Sequence, residues 1–288
     1  MNIKKLTLKS PQYPEILRNI SGPPDPLFYV GADLGDLLKR PRVAIVGTRR
    51  VTPYGEQVTL RLARELAEQG IVIISGLAIG VDALAHQAAL EAGGLCIAVL
   101  PSPLDNVVPV TNRALAQRIL DNGGCLVSEY ASGAESFLKN FVVRNRIMSG
   151  LAQGVLITEA GKVSGAHHTA RFGNQQGREV MAVPGSIHNS QSVGTNNLLK
   201  RGHAHAVTSY KDVLNILNLK DHQTPARQVK GRNAQEQTVL DLMLEGISEG
   251  ERLLDHSGLT ASQFNQTLTM LEIGGKIRPL GANHWAIF

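Results

Sequence analysis

Cysteine is almost missing from this chain: Cys96 and Cys125 are the only two in 288 residues. Each sits inside an apolar run, LCIAVL and CLVSE. A buried thiol there behaves as a small hydrophobe, so neither a disulfide framework nor a zinc site is expected. No run of about 18 apolar residues occurs, which leaves no candidate for a membrane-spanning helix. The opening MNIKKLTLKSPQ lacks the apolar stretch and small-residue cleavage site of a secretory leader, and the expected location is the cytoplasm. Charge of neither sign dominates. The 29 Lys and Arg against 24 Asp and Glu give +5, which permits a polyanionic partner without requiring one.

What the chain has in quantity is glycine, 29 residues, as expected where many short loops join strands to helices. Residues 1–40 are rich in proline and glycine and read as an N-terminal strap packed on the main domain, with a short helix within 13–20 and a short strand at LFYVG. From residue 43 a regular alternation begins. Six apolar runs, VAIVG (43–47), IVIISG (71–76), LCIAVL (95–100), CLVSE (125–129), GVLITEA (154–160) and REVMAVPG (178–185), are separated by helical segments. Near-continuous Val, Ile and Leu is what strands covered on both faces require. Between them GEQVTLRLARELAEQG places Val58, Leu62, Ala63 and Leu66 at helical spacing. Strand alternating with helix predicts an α/β fold with a doubly wound, mostly parallel sheet over 41–219, closed by HAVTS and the helix YKDVLNILNL. Ligands of such sheets sit at the carboxyl ends of the strands, where strand order reverses. Residues 220–233 have linker composition. Residues 234–288 read as three helices and a β-hairpin, the outline of a winged helix, with Thr260 as N-cap of the third helix.

Five loops at the carboxyl ends of these strands carry the chemistry. In VAIVGTRRVTPYG, Gly47 allows a close backbone approach, Thr48, Arg49 and Arg50 follow, and the next helix is expected to present free N–H groups and a positive dipole end. That combination suits a phosphate. It is not a dinucleotide fingerprint, because the G-x-G-x-x-G spacing is absent and the second strand ends in Ser75-Gly76 rather than an acid. In SGLAIGVDALAH, Asp82 and His86 stand at i and i+4, and capping with packing is a better reading than a metal pair lacking a third ligand. KNFVVRNRIMSGL sets Lys139, Arg144 and Arg146 around Phe141, a pattern suited to single-stranded nucleic acid, although a core Phe141 with solvated arginines would look the same. EAGKVSGAHHTARFGNQQGR brings Gly161, Ser164 and Gly165 into a flexible loop; His167 and His168 are adjacent and form no metal pair. The last loop, VPGSIHNSQSVGTNNLLKRG, carries Thr195, Asn196, Asn197, Lys200 and Arg201. No loop supplies a nucleophile with its base, paired carboxylates or a metal cage. A non-catalytic holder of a phosphate backbone, with no cofactor or metal, is the expectation.

The order and spacing of VAIVGTRRVTPYG, SGLAIGVDALAH, GGCLVSEY, FVVRNRIMSGL, ITEAGKVSGAHHTA, REVMAVPG and GTNNLL resemble the DNA-processing protein A family (DprA, also called Smf). The resemblance covers about residues 11–219 and, more loosely, the C-terminal module. It does not extend to the N-terminal helical domain of many relatives, and nothing assigned to that domain is carried over. It implies a Rossmann-like domain that binds single-stranded DNA, forms homodimers, protects incoming DNA during natural transformation and loads the RecA recombinase. On that resemblance Gly47, Thr48 and Arg49 match the Gly-Ser-Arg turn that grips the DNA backbone. Lys139 and Phe141 fall where relatives place a phosphate-binding lysine and a base-stacking aromatic, and Arg144, Asn145 and Arg146 match an Arg-Asn-Arg signature. Ser75, Gly76, Gly161, Ser164, Gly165, Thr195 and Asn196 complete the expected DNA-binding set. The chain departs from the pattern at Val142, where a proline is usual, and at His167 and His168, where apolar residues are common. SPLDNVVPVTNR also lacks the usual tyrosine. The rival reading is a phosphoribohydrolase-like enzyme, of whose loop Glu159-Ala-Gly161 is a faint echo. In the winged helix the third helix offers Gln263, Asn265 and Gln266 but no arginine, which suits a protein contact or auxiliary role better than tight duplex binding.

Overall fold

The computed structural model describes residues 2–221, 230–281 and 283–287, and the chain divides into two compact units between 222 and 223. In the first unit the elements run β1 (Lys4–Leu6), α1 (Glu15–Arg18), β2 (Leu27–Gly31), α2 (Leu34–Leu37), β3 (Arg42–Val46), α3 (Pro53–Glu68), β4 (Val72–Ser75), α4 (Val81–Glu91) and β5 (Cys96–Val99). They continue with α5 (Arg113–Asp121), β6 (Cys125–Ser128), α6 (Leu138–Leu151), β7 (Gly154–Ile157), α7 (Ala166–Gln175), β8 (Glu179–Ala182), α8 (Val193–Lys200), β9 (His205–Ala206) and α9 (Tyr210–Ile216). The nine strands form one sheet in the order β1-β2-β6-β5-β4-β3-β7-β8-β9.

Apolar side chains on both faces explain why β3 to β7 lie at the centre. Val43 and Ile45 of β3 share a core with Ile73, Ala98 and Leu156 beneath α3, α4, α5 and α9. Their neighbours Ala44 and Val46 share the opposite core with Ile74, Val127 and Val155 beneath α6 and α7. The period-two alternation of a strand thus feeds two helical layers from one run of residues. Cys96 and Cys125 are free and buried, and burial pushes both thiols up to about 12.

From β3 the chain winds outward through β4, β5 and β6, then returns to place β7 on the other side of β3. Strand order therefore reverses between β3 and β7, and their carboxyl ends flank the crevice where ligands of such sheets bind.

The strap does more than cover the core. Its β2 pairs antiparallel with β6, Tyr29 opposite Val127 and Gly31 opposite Cys125, and β1 pairs antiparallel with β2. Gly31 has φ +106°, and a Cβ there would lie 2.7 Å from Leu120 Cδ2, so only glycine fits. Nothing in the residues of β1 announced a strand; it is short and follows its partner.

His86 on α4 is fully buried. Burial pushes its pKa down to about 3, with a Ser75 backbone contact opposing and the Arg144 charge adding to the fall. An unfolded imidazole titrates near 6.5. Between about pH 6.5 and about pH 3 the unfolded chain takes up a proton that the folded chain refuses. Stability is therefore present above that window and is lost as pH falls through it, by up to about 1.4 kcal/mol per pH unit. Urea unfolding at pH 7.5, 6 and 5 is expected to show this slope, and His86→Leu to reduce it. Equal slopes in parent and variant would assign the loss to other groups.

The second unit contains α10 (Ala234–Leu244), α11 (Gly250–Ser257), α12 (Ala261–Ile273) and the antiparallel pair β10 (Ile277–Gly281) and β11 (His284–Ile287). Val239, Leu240, Leu253, Phe264, Leu271 and Ile277 form its core. Thr260 and Gln263 make a reciprocal capping box at the start of α12, which commits Gln263 to the helix end. Glu236 is buried yet accepts Lys276 Nζ at 2.8 Å and the Arg232 N–H at 2.8 Å, tying α10 to the hairpin. Of the linker expected at 220–233, residues 222–229 lie outside the described residues. No described helix is long and apolar enough to cross a membrane.

Candidate nucleic-acid interface

A cleft of about 720 Å³ opens at the carboxyl ends of β3 and β7. Its walls are the turn after β3, the first turns of α6 and the loop after β7, and Ser190 and Gln191 also line it.

The turn after β3 is held rigid from behind. A Cβ on Gly47 would lie 2.7 Å from the Glu159 carbonyl oxygen, so the strand can approach β7 this closely only with glycine there. Thr48 donates its N–H to the same carbonyl at 2.8 Å. Its hydroxyl donates to Gln191 Oε1 at 2.9 Å and accepts the Arg50 N–H at 3.1 Å. Thr48 is thus buried and occupied, while Arg49 and Arg50 are exposed on the cleft wall. The Arg49 guanidinium lies 4.7 Å from the centre of the Phe141 ring, a cation–π distance.

The sequence led us to expect free N–H groups at the start of the following helix, and here the structure differs. Glu159 fills that position. Its Oε2 accepts the Thr52 N–H at 2.9 Å and its Oε1 accepts the Thr52 hydroxyl at 2.6 Å. Thr52 in turn caps α3 by accepting the Gly55 N–H at 3.2 Å. The dipole end of α3 already faces an anion belonging to the protein.

On α6 helical periodicity separates residues that the sequence placed side by side. The helix runs from Leu138 to Leu151, so the whole basic–aromatic motif is helical. Leu138, Phe141, Val142, Asn145 and Met148 line the cleft, following the i, i+3, i+4, i+7 rule. Lys139 and Arg146 fall on another face and do not line it. Lys139 is exposed, its Nζ 5.5 Å from the Phe137 ring centre. Arg146 forms a two-pronged ion pair with Glu129 at 2.8 and 2.7 Å and donates to the Gly22 carbonyl at 2.8 Å. It fastens the strap to the segment after β6.

Arg144 lies at the cleft floor but points inward. It is buried, and its guanidinium donates to the carbonyls of Gly76, at 2.7 Å, and Val99. Burial pushes its pKa down to about 10, with Asp82 opposing. Burial raises the Asp82 carboxyl, and the Arg144 charge opposes that rise. Asp82 accepts the Gly76 N–H at 3.1 Å; α4 has no side-chain cap, so Asp82 braces the turn ahead of its helix instead of capping the first turn. A Cβ on Gly76 would overlap the Arg144 guanidinium. Ser75, also buried, donates its hydroxyl to the Ile45 carbonyl at 2.6 Å. Ser75 and Gly76 support the floor rather than line the cleft.

The loop after β7 contributes Gly161, Ser164 and Gly165, and also Lys162 and Val163, which sequence reasoning passed over. A lysine between two glycines of a loop facing two arginines was the available signal. His167 Nε2 lies 2.9 Å from the Gly161 carbonyl oxygen, and Asn145 Nδ2 donates to the Gly165 carbonyl at 3.4 Å. The histidine that departs from the family pattern therefore steadies this loop. Thr195 and Asn196 lie elsewhere. Thr195 is buried and donates to the Ser192 carbonyl at 3.1 Å, and Asn196 pairs with both backbone groups of Gly185 at 3.1 and 3.0 Å.

A mostly parallel α/β sheet with a basic, aromatic cleft at its switch point, followed in the chain by a winged-helix unit, defines a Rossmann-like protein with a C-terminal winged-helix domain. The family model described as DNA recombination-mediator protein A matches residues 4–218, and that of the DprA winged helix domain matches 223–283. The chain belongs to the DNA recombination-mediator protein A family. It is 38% identical over 215 residues to the DNA processing protein DprA of Bacillus subtilis, covering 75% of this chain and 71% of that protein. It is 43% identical over 184 residues to Protein Smf of Escherichia coli, covering 64% of this chain and only 49% of that protein. The X-ray structure of DprA from Streptococcus pneumoniae superposes with a TM-score of 0.70 at 38% identity, covering 77% of this chain and 76% of that one. The structure of the Helicobacter pylori protein, described for its single-stranded DNA binding mode, gives 0.67 at 35% identity over 76% of this chain and 96% of that one.

Proposed function

We propose that this protein binds single-stranded DNA in the switch-point cleft without catalysis, protects incoming DNA during natural transformation, and passes it to the RecA recombinase. The observation that carries the binding is the Arg49 guanidinium stacked on Phe141, with Arg50 and Lys162 on the same cleft. Cations at these positions hold phosphates, and the ring offers a face to a base from a strand whose bases are free to stack. The Helicobacter pylori relative, described by its single-stranded DNA binding mode, supports the substrate class. The hand-off to RecA, action as a homodimer and a cytoplasmic location rest on family membership. A phosphoribohydrolase-like reading gains nothing from Glu159, because both its carboxylate oxygens are engaged by Thr52.

The test is a salt titration of labelled single-stranded and duplex DNA of equal length. Three neutralised phosphates predict a slope of about −2 for log K against log salt on a single strand. A clear single-strand preference is expected. Equal binding of both forms would leave only a basic protein.

A further inference from the structure

We infer that a strand leaving the switch-point cleft stacks a second base on the ring of Tyr54 and lays a following phosphate on Arg61, so that the cleft is one end of a longer track. This rests on the single-stranded DNA reading given above and extends it to residues that lie outside the cleft.

Tyr54 borders two further cavities. One, of about 420 Å³, is lined by Tyr54, Pro184, Gly185, Ser186 and Asn189. The other, of about 210 Å³, is lined on α3 by Tyr54, Gln57 and Arg61, and also by Pro184 and Thr208. The Tyr54 ring is 42% exposed, yet it is not loose, because its hydroxyl donates to the Pro184 carbonyl at 2.7 Å. The backbone beside it is fixed as well. Asn196 holds both backbone groups of Gly185 at 3.1 and 3.0 Å, and a Cβ on Gly185 would lie 2.7 Å from Ser192 Cβ. A ring tethered at its tip beside a fixed wall is a platform that loses little freedom when a flat ligand settles on it.

One short segment joins this region to the cleft. Asn189 lines the larger of the two cavities, and the next residues, Ser190 and Gln191, line the cleft. Gln191 accepts the Thr48 hydroxyl at 2.9 Å, which ties the segment to the turn carrying Arg49 and Arg50. Four residues separate Arg50 from Tyr54, a span of at most about 14 Å between Cα atoms. At about 3.4 Å per stacked nucleotide, that is a step of some four nucleotides or fewer.

The ligand that fits is a polyanion with flat faces. Arg61 follows Tyr54 by two helical turns and so stands on the same face of α3; it is exposed and donates to the Thr208 carbonyl at 2.7 Å. Among the described residues, no acidic side chain lines either cavity. Arg49 with Phe141, then Tyr54 with Arg61, set cations and rings in alternation. That alternation holds the phosphates and bases of one strand without reading its sequence.

Thymidylate oligonucleotides of 3 and 20 nucleotides separate the two parts of the track. Tyr54→Ala is expected to weaken binding of the 20-mer about tenfold and to leave the trimer within about twofold of the parent. Tyr54→Phe, which keeps the ring, is expected to stay within about threefold on both. Arg61→Ala is expected to flatten the salt slope of the 20-mer by about 0.7. A 20-mer carrying 5-iodouracil, irradiated on the unaltered protein, is expected to cross-link to the peptide containing Tyr54, as located by mass spectrometry. This last result does not depend on any variant folding. No adduct at Tyr54, or an alanine variant that weakens both lengths equally, would overturn the inference even where Phe141 is still cross-linked. A parent that binds neither oligonucleotide would instead remove the DNA reading itself, so the two failures are distinguishable.

Discussion

A chain carrying both Arg49→Ala and Phe141→Ala is expected to bind a single-stranded oligonucleotide roughly 100-fold more weakly than the parent at moderate salt. Stacking of a base on an aromatic ring is worth about 1–3 kcal/mol, and the arginine contributes a neutralised phosphate besides. The two effects separate by salt. Arg49→Ala removes a cation and is expected to flatten the salt slope by about 0.7, whereas Phe141→Ala weakens binding at every salt concentration and leaves the slope alone. Because the guanidinium rests 4.7 Å from the ring centre, each partner positions the other. The double variant is therefore expected to lose less than the product of the single losses. Arg146→Ala provides the contrast: its guanidinium is spent on Glu129 and Gly22, so it is expected to lower stability and leave the slope unchanged. Fluorescence anisotropy at 50, 100 and 200 mM salt measures all four. A double variant within twofold of the parent would remove the cleft from consideration.

Arg144→Met is expected to destabilise the first unit by about 3–5 kcal/mol, the usual cost of breaking a buried charged network. The change strands the carbonyls of Gly76 and Val99 and removes the charge that opposes the upward shift of buried Asp82. For a unit of this size the melting temperature is expected to fall by roughly 6–20 °C. Arg144→Lys is expected to recover little, since a single ammonium does not reproduce a planar fork aimed at two carbonyls. Calorimetry decides. A loss below about 1 kcal/mol would mean that the guanidinium is readily re-solvated and free to meet a phosphate instead.

The two helical layers and the parallel strands were legible because a strand covered on both faces must be apolar throughout, and β3 to β8 are written that way. Strand β1 was not, since three residues with two lysines carry no such pattern and acquire their conformation from β2. The site was legible as residue types and less so as directions. Lys139, Phe141 and Arg146 lie close in the sequence, yet one hundred degrees of helical turn per residue puts Phe141 in the cleft and the two cations outside it. Arg144 reads as a phosphate ligand until Gly76 is seen to leave room for its guanidinium beneath the floor. Glu159 was the hardest to read, because its partner Thr52 lies 107 residues away and no local pattern joins them.

The antiparallel strap has a consequence for how the protein behaves among its own copies. A parallel sheet ending at β6 would offer a wholly apolar, unpaired rim to any passing strand. Instead the sheet tapers through β2 to β1, three residues long with Lys4 and Lys5 exposed, and at the far side to the two residues of β9. Rims this short and charged are poor templates for a further strand. The same 40 residues that look like mere packaging cover the apolar strand β6, and a protein shortened past Leu27 would exchange a blunt edge for a sticky one.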